Sequence, residues 1–261
     1  AFTLPHAEVA VPEDSLAEYR GKWPEPKPFP GAKTYSAQRE PRAARAAMIT
    51  RLDRDIGRLL DLLDELKLSA NTLVIFASDN GPITAGGQDP EFFDSNGPLR
   101  DLKFTLYEGG IRVPFIARWP GQAPAGQVSE ALMSQVDLPA VFTKVAGGDP
   151  AEFLKLDGVD TSAALKGGAG RETVISSTQA NTLSIRDARW KFIPGVGGAA
   201  KVKSGGAKAT GPLVALLGSD EDLERDRREQ TGPRLFDLLA DPAERKNLAA
   251  ENPEVVARLR A

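Results

Sequence analysis

Thr72–Pro82 reads T-L-V-I-F-A-S-D-N-G-P, an apolar run that passes directly into an acid, an amide and two turn residues. Leu73 to Ala77 is short, unbroken and partly β-branched, the pattern of a strand covered on both faces of a parallel sheet. Asp79 and Asn80 then fall just past the carboxyl end of a core strand, where open α/β sheets place their ligands. A carboxylate beside an amide oxygen is hard-cation chemistry of the calcium or magnesium kind. Taken alone, Asp-Asn-Gly reads more simply as a turn, since Asn-Gly is a strong turn signal. The next forty residues change that balance. They carry Lys103, a Glu108-Gly109-Gly110 turn and a second strand, Arg112 to Trp119, ending at Pro120-Gly121. Two strand ends then bring an oxygen pair and an ammonium into one neighbourhood.

Working outward, residues 8–41 are rich in proline and charge and read as a long surface loop. From Arg42 to Leu68, Met48, Leu52, Ile56, Leu59, Leu63 and Leu66 recur at spacings of three and four, which predicts a helix with one buried stripe. Arg45, Arg51, Arg54 and Arg58 read as its solvated face. Helix, short turn and strand make an α/β unit with the ligand candidates at its far end. Asp137 before Leu138-Pro139 reads as an N-cap, and Gly147-Gly148 closes that helix. Residues 173–176, 182–186 and 190–193 are short strands of a small antiparallel sheet. A Gly/Ala/Lys-rich and then densely charged stretch near 195–232 reads as a mobile insertion, and Pro253 to Arg260 as a terminal helix. The expected organisation is an α/β part over 1–150 and a C-terminal subdomain over 151–261.

With 261 residues, 41% of them hydrophobic, the chain can bury a sizeable core. A net charge of -3 provides no basic field for nucleic acid. No apolar run is long enough to span a membrane, so neither nucleic acid nor membrane is an expected partner. The absence of cysteine excludes disulfides and thiolate metal sites, though not an exported protein.

Several stretches resemble one family. They are A-F-T-L-P-H-A at 1–7, D-N-G-P at 79–82, S-N-G-P-L-R-D-L-K at 95–103, Y-E-G-G-I-R-V-P-F-I-A-R-W-P-G at 107–121 and V-D-L-P-A-V-F at 136–142. I-R-D-A-R-W-K-F-I at 185–193 and L-F-D-L-L-A-D-P-A-E-R-K-N-L at 235–248 continue the series. Together they resemble the later part of the sulfatases, in the arylsulfatase and N-acetylgalactosamine-6-sulfatase-like branch of the alkaline-phosphatase superfamily. The resemblance implies an α/β fold: a partial alkaline-phosphatase-like mixed sheet flanked by helices, plus a small C-terminal antiparallel sheet with a terminal helix. It implies hydrolysis of sulfate esters, on a sulfated carbohydrate or an aryl sulfate ester, in a periplasmic or extracellular setting.

By the same resemblance Asp79 and Asn80 are calcium ligands, His6 binds the sulfate ester and protonates the departing oxygen, and Lys103 contacts sulfate. By pattern alone His6 is an ordinary surface histidine and Lys103 a solvated cation. The family's nucleophile is a formylglycine made from Cys or Ser in a C/S-x-P-S-R segment. This sequence has no cysteine and no serine with proline two residues on, so the chain reads as a truncated sulfatase, inactive alone. Two other readings stand beside it: a related phosphoesterase, against which a single histidine argues, and a non-catalytic anion-binding remnant of the fold. The family often has a small residue where Phe104 stands, which puts the shape of the Lys103 loop in question. Trp23 and Arg100 are conceivable substrate contacts, but each reads more simply as a surface or packing residue.

Overall fold

A computed structural model of the chain describes residues 2–178, 182–195 and 232–260; the stretch expected as an insertion lies almost wholly outside the described residues. Chain order gives α1 (Glu13–Ala17), α2 (Pro41–Glu65), β1 (Val74–Ala77), α3 (Glu108–Ile111), β2 (Phe115–Arg118) and α4 (Leu138–Val145), with 3-10 turns between them. There follow β3 (Val174–Ser177), β4 (Leu183–Arg186), β5 (Trp190–Ile193), β6 (Arg234–Asp237) and α5 (Pro253–Arg260).

The long helix forms where its periodicity predicts, with Pro41 in its first turn. Its orphan N–H groups are met from a distance: Glu25 accepts from the backbone N–H of Arg42 and of Ala43, both at 2.9 Å. The buried stripe differs from the expected one. Ala43, Ala44, Ala47, Met48 and Leu52 are buried, while Leu59 and Leu66, expected in the stripe, are exposed. Arg45, expected on the solvated face, is buried, because its guanidinium reaches Gln88 and the Ser95 hydroxyl. Spacing marks a face of a helix, not which side chain finds a partner there. The stretch expected as a loop before it holds α1, a Phe29–Gln38 bridge and the contacts of Leu16, Val9 and Val11 with Met48 and Ala44.

β1 pairs antiparallel with β2, Val74 opposite Arg118 and Ala77 opposite Phe115. This corrects the parallel reading of Leu73–Ala77: an apolar run reports burial, not the direction of its neighbour. The second strand is shorter than Arg112–Trp119, and the Glu108-Gly109-Gly110 turn is the short helix α3. The small C-terminal sheet is antiparallel as expected, in the order β3-β4-β5-β6, with β6 as a fourth strand. One of its faces buries Phe192 and Leu235 under α5 through Leu259, Val255 and Val256. Its other side joins Ile193, Phe236 and Leu238 to Leu106 and Tyr107, beside the Lys103 loop. Each fully buried side chain of this size stabilises the fold by about 1.5–3 kcal/mol.

Candidate functional site

Three backbone segments meet at the carboxyl end of β1. The Gly81 N–H donates to the Gly110 carbonyl at 3.0 Å, and the Lys103 N–H donates to the Pro82 carbonyl at 2.9 Å. The Gly109 N–H in turn donates to the Arg100 carbonyl at 2.8 Å. The approach is close enough to require glycine: a Cβ on Gly81 would lie 1.9 Å from the Gly109 carbonyl oxygen. The Y-E-G-G and D-N-G-P sequences are therefore two halves of one contact. It fixes Lys103 beside the turn that carries Asp79 and Asn80.

Asp79 is exposed and Asn80 half-buried at the end of the strand. The Ser78 hydroxyl donates to the Asn80 carbonyl at 2.9 Å, and the Gln135 side-chain amide donates to the Ser78 carbonyl, so the turn is held from both sides. Phe104 follows Lys103 at φ +79, a left-handed conformation an aromatic residue rarely adopts, and its ring lies 5.4 Å from the Lys103 ammonium.

The backbone on either side of His6 is held by a second set of contacts. Gln88 donates to the Pro5 carbonyl at 2.9 Å, and the buried Arg45 guanidinium donates to Gln88. Gly86, at φ +72, lets its backbone pass so near Ala7 that a Cβ would lie 1.8 Å from the Ala7 carbonyl oxygen. The His6 N–H donates to the Thr3 carbonyl at 2.8 Å, and its ring lies 6.3 Å from that of Tyr35. The 85–88 segment that holds His6 thus follows Asp79 in the chain by only six residues. The turn after Asp79 and Asn80 and the Lys103 backbone share one junction; the His6 backbone is held by a separate set of contacts, and no hydrogen bond or ion pair among the described residues joins His6 to Asp79, Asn80 or Lys103.

Sequence reasoning missed the residues that do the supporting. Arg45, Gln88 and Gln135 are polar side chains acting over separations of 43, 83 and 57 residues. No local pattern marks such pairs. Behind the Lys103 loop lies a buried ionic group. The Lys191 ammonium is 3.1 Å from Glu108 Oε1 and 2.8 Å from Glu244 Oε1, the latter an ion pair rather than an aligned hydrogen bond. Arg186 pairs with Glu108, whose N–H donates to Glu244 Oε2 at 2.5 Å. Burial pushes the Glu244 carboxyl above the ordinary glutamate range, against the pull of Lys191. Arg100 belongs to this support: it donates to the Glu244 carbonyl at 3.0 Å and lies 3.8 Å over the Tyr107 ring. Trp23 packs among Tyr19, Phe92 and Phe93. Asp137 stands at the N-cap position of α4 but its side chain makes no cap bond to that helix; it is instead a buried acceptor for Val159, Arg171 and the Ser134 N–H.

Comparison with known proteins bears on the fold and the family. The two sheets and their flanking helices take the alkaline-phosphatase-like fold. The Ps i-CgsB structure superposes with a TM-score of 0.68 at 22% identity, over 99% of this chain and 47% of that one. The sulfatase family model matches residues 5–148. The chain belongs to the sulfatase family. It is 34% identical to an N-acetylgalactosamine-6-O-sulfatase of Bacteroides thetaiotaomicron over 82% of this chain and 40% of the relative. It is 33% identical to the N-acetylgalactosamine-6-sulfatase of Sus scrofa over 81% and 40%. A structure solved in work on glycosaminoglycan metabolism by Bacteroides thetaiotaomicron matches with a TM-score of 0.63 at 34% identity, covering 83% of this chain and 43% of that one. The chain therefore spans about two fifths of the length of the relatives it matches. Among the described residues, no helix is long and apolar enough to cross a membrane.

Proposed function

We propose that this chain supplies the leaving-group and anion-binding side of a sulfate-ester hydrolase, acting on sulfated glycans. The observation that supports the reading is the Lys103–Pro82 backbone bond, which brings the Lys103 backbone beside the turn that follows Asp79 and Asn80. In this reading the Lys103 ammonium pairs with the sulfate oxygens and offsets charge on the departing oxygen. The His6 imidazole donates the proton that the alcohol oxygen takes as its bond to sulfur breaks. The chemistry belongs to the 1–150 part, with 151–261 bracing the Lys103 loop from behind.

Calcium fits the donors present in kind. Asp79 and Asn80 offer hard oxygens, and among the described residues their side chains form no hydrogen bond or ion pair. They are two donors where calcium takes six to eight, and among the described residues no group of three His, Cys, Asp or Glu assembles. Asp79 and Asn80 would hold calcium only as part of a larger ligand set, and the ion would supply positive charge toward the sulfate. Formylglycine fits no residue of this sequence, which has neither cysteine nor a Ser-x-Pro step. Nucleophilic attack on sulfur is not assigned to any residue here.

The relatives named as N-acetylgalactosamine-6-sulfatases make a sulfated amino sugar the leading substrate class, with an aryl sulfate ester as a simple probe and a periplasmic or extracellular setting. The lack of a nucleophile in this sequence favours one second reading, an anion-binding protein without turnover. Joining this chain to the part of the Bacteroides thetaiotaomicron relative outside the match, and assaying sulfate release, separates the two. The proposal expects release that falls about 100- to 1000-fold in Lys103→Ala, and none from the chain alone. Release indifferent to Lys103 and His6, or turnover of an aryl sulfate by the chain alone, would overturn it.

A further inference from the structure

Arg45 in α2 is only 8% exposed, and Gln88, which it contacts, 7%. Among the described residues the Arg45 guanidinium forms no ion pair. It donates to Gln88 Oε1 and, at 3.1 Å, to the Ser95 hydroxyl, both neutral oxygens. Its Nε has no partner among the described residues, and the Phe93 ring lies 5.6 Å from its central carbon. Burial alone pulls the guanidinium below its ordinary pKa. A buried charge held only by neutral groups costs stability. What this arrangement supplies is geometry.

Arginine donates hydrogen bonds and never accepts them. The amide oxygen of Gln88 must therefore face Arg45, which turns the amide nitrogen toward the Pro5 carbonyl, 2.9 Å away. Gly86, two residues earlier, packs on the Ala7 carbonyl. One segment thus holds the backbone on both sides of His6, and Arg45 sets the orientation of its amide. The other arm of the guanidinium ends on Ser95. The next side chain, Asn96, donates to the Leu99 and Asp101 carbonyls at 2.5 and 3.0 Å. Lys103 follows, its N–H on the Pro82 carbonyl at 2.9 Å.

We infer that Arg45 is a positioning residue: its planar fork joins the segment that holds the His6 backbone to the segment that leads to Lys103, and so fixes the spacing of the two. The inference rests on the reading above, in which His6 and Lys103 serve one sulfate ester. Chemistry of that kind is sensitive to errors of about 1 Å in placement. A guanidinium suits the task because its donors lie in one rigid plane, whereas an ammonium is a point charge on a flexible stem.

NMR of the whole chain without sulfate reads the two arms separately. His6 is the sole histidine and its ring lies 6.3 Å from that of Tyr35, so its ring signals report its placement. Hydrogen exchange of the Lys103 amide reports the bond to Pro82. Gln88→Glu keeps an oxygen for Arg45 and puts a second oxygen against the Pro5 carbonyl. Its melting temperature stays at or above that of wild type, its His6 signals move, and its Lys103 exchange is unchanged. Ser95→Ala does the reverse: Lys103 exchange rises about tenfold while the His6 signals stay in place. Arg45→Lys moves both; should it fail to fold, the two single-arm variants decide. With calcium present, the sulfate Kd measured by calorimetry rises about tenfold in each single-arm variant. A wild-type chain that binds no sulfate counts against the reading of His6 and Lys103, and the sulfate-free signals still decide the inference. His6 signals unmoved in Gln88→Glu, or Lys103 exchange unmoved in Ser95→Ala, would overturn it. So would a single-arm variant that disturbs both sites alike, the mark of general loosening, or an unchanged affinity in both variants when the wild type does bind sulfate.

Discussion

The Gly81 backbone approaches Gly109 so closely that no side-chain atom fits between them, a Cβ on Gly81 falling 1.9 Å from the Gly109 carbonyl oxygen. The strand end bearing Asp79 and Asn80 and the helix that follows Lys103 are therefore a single unit, and whatever moves one moves the other.

Gly81→Ala forces that contact apart. The expected loss of stability is about 1–3 kcal/mol, the usual cost of inserting atoms into a closed contact, read by urea unfolding. Gly97→Ala is the control for glycine replacement as such, because no atom lies within 4 Å of its would-be Cβ, though its φ of +53 carries strain of its own. Equal stability of Gly81→Ala and wild type would show that the junction is loose.

Lys191→Met leaves Glu108 and Glu244 buried without the ammonium between them. Lys191 is 0% and Glu108 1% exposed at the side chain, so water cannot replace it. Removing one partner of a buried pair costs about 3–5 kcal/mol, and urea unfolding should show a loss of that order. The triple change with Glu108→Gln and Glu244→Gln should recover part of it. A loss under about 1 kcal/mol, or no recovery, would contradict the role given to this group.

Acid sensitivity should divide by residue. The Arg189 hydrogen bond holds the Asp237 carboxyl below its ordinary value of 3.8, against the opposing push of desolvation. A depressed folded value means that this contribution is present above 3.8 and lost as pH falls through the folded value. The stability gap between wild type and Asp237→Asn should be full near neutrality and shrink in strong acid. Glu244 has the opposite sign: its raised carboxyl favours the fold below its ordinary 4.5, and that contribution is lost as pH rises through the folded value. Thermal unfolding of the two Asn and Gln variants against pH checks both directions.

Much of this was legible in the sequence, where local rules apply. The helix period, the proline at its start, the strand leading into Asp-Asn-Gly and the terminal helix at Pro253–Arg260 all came from neighbours within a few residues. The strand direction of β1 did not, since Val-Ile-Phe-Ala is equally apolar beside a parallel or an antiparallel partner. Nor did the burial of Arg45, decided by Gln88 and Ser95 some forty to fifty residues away. Asp79, Asn80 and Lys103 could be named from motifs. The backbone junction beside them depended on Gly81 and Gly109, and the support of the Pro5 backbone before His6 on Gln88, which no periodicity marks.

His6 is the sole histidine, so its imidazole resonances give one clean report on the proposed pocket. The most direct measurement is an NMR titration of this chain with sulfate in the presence of calcium, following those resonances in wild type, Lys103→Ala and Asp79→Ala. The account predicts saturable shifts of the His6 signals in wild type, weakened or abolished in both variants. His6 signals that ignore sulfate, or respond identically in all three proteins, would contradict it.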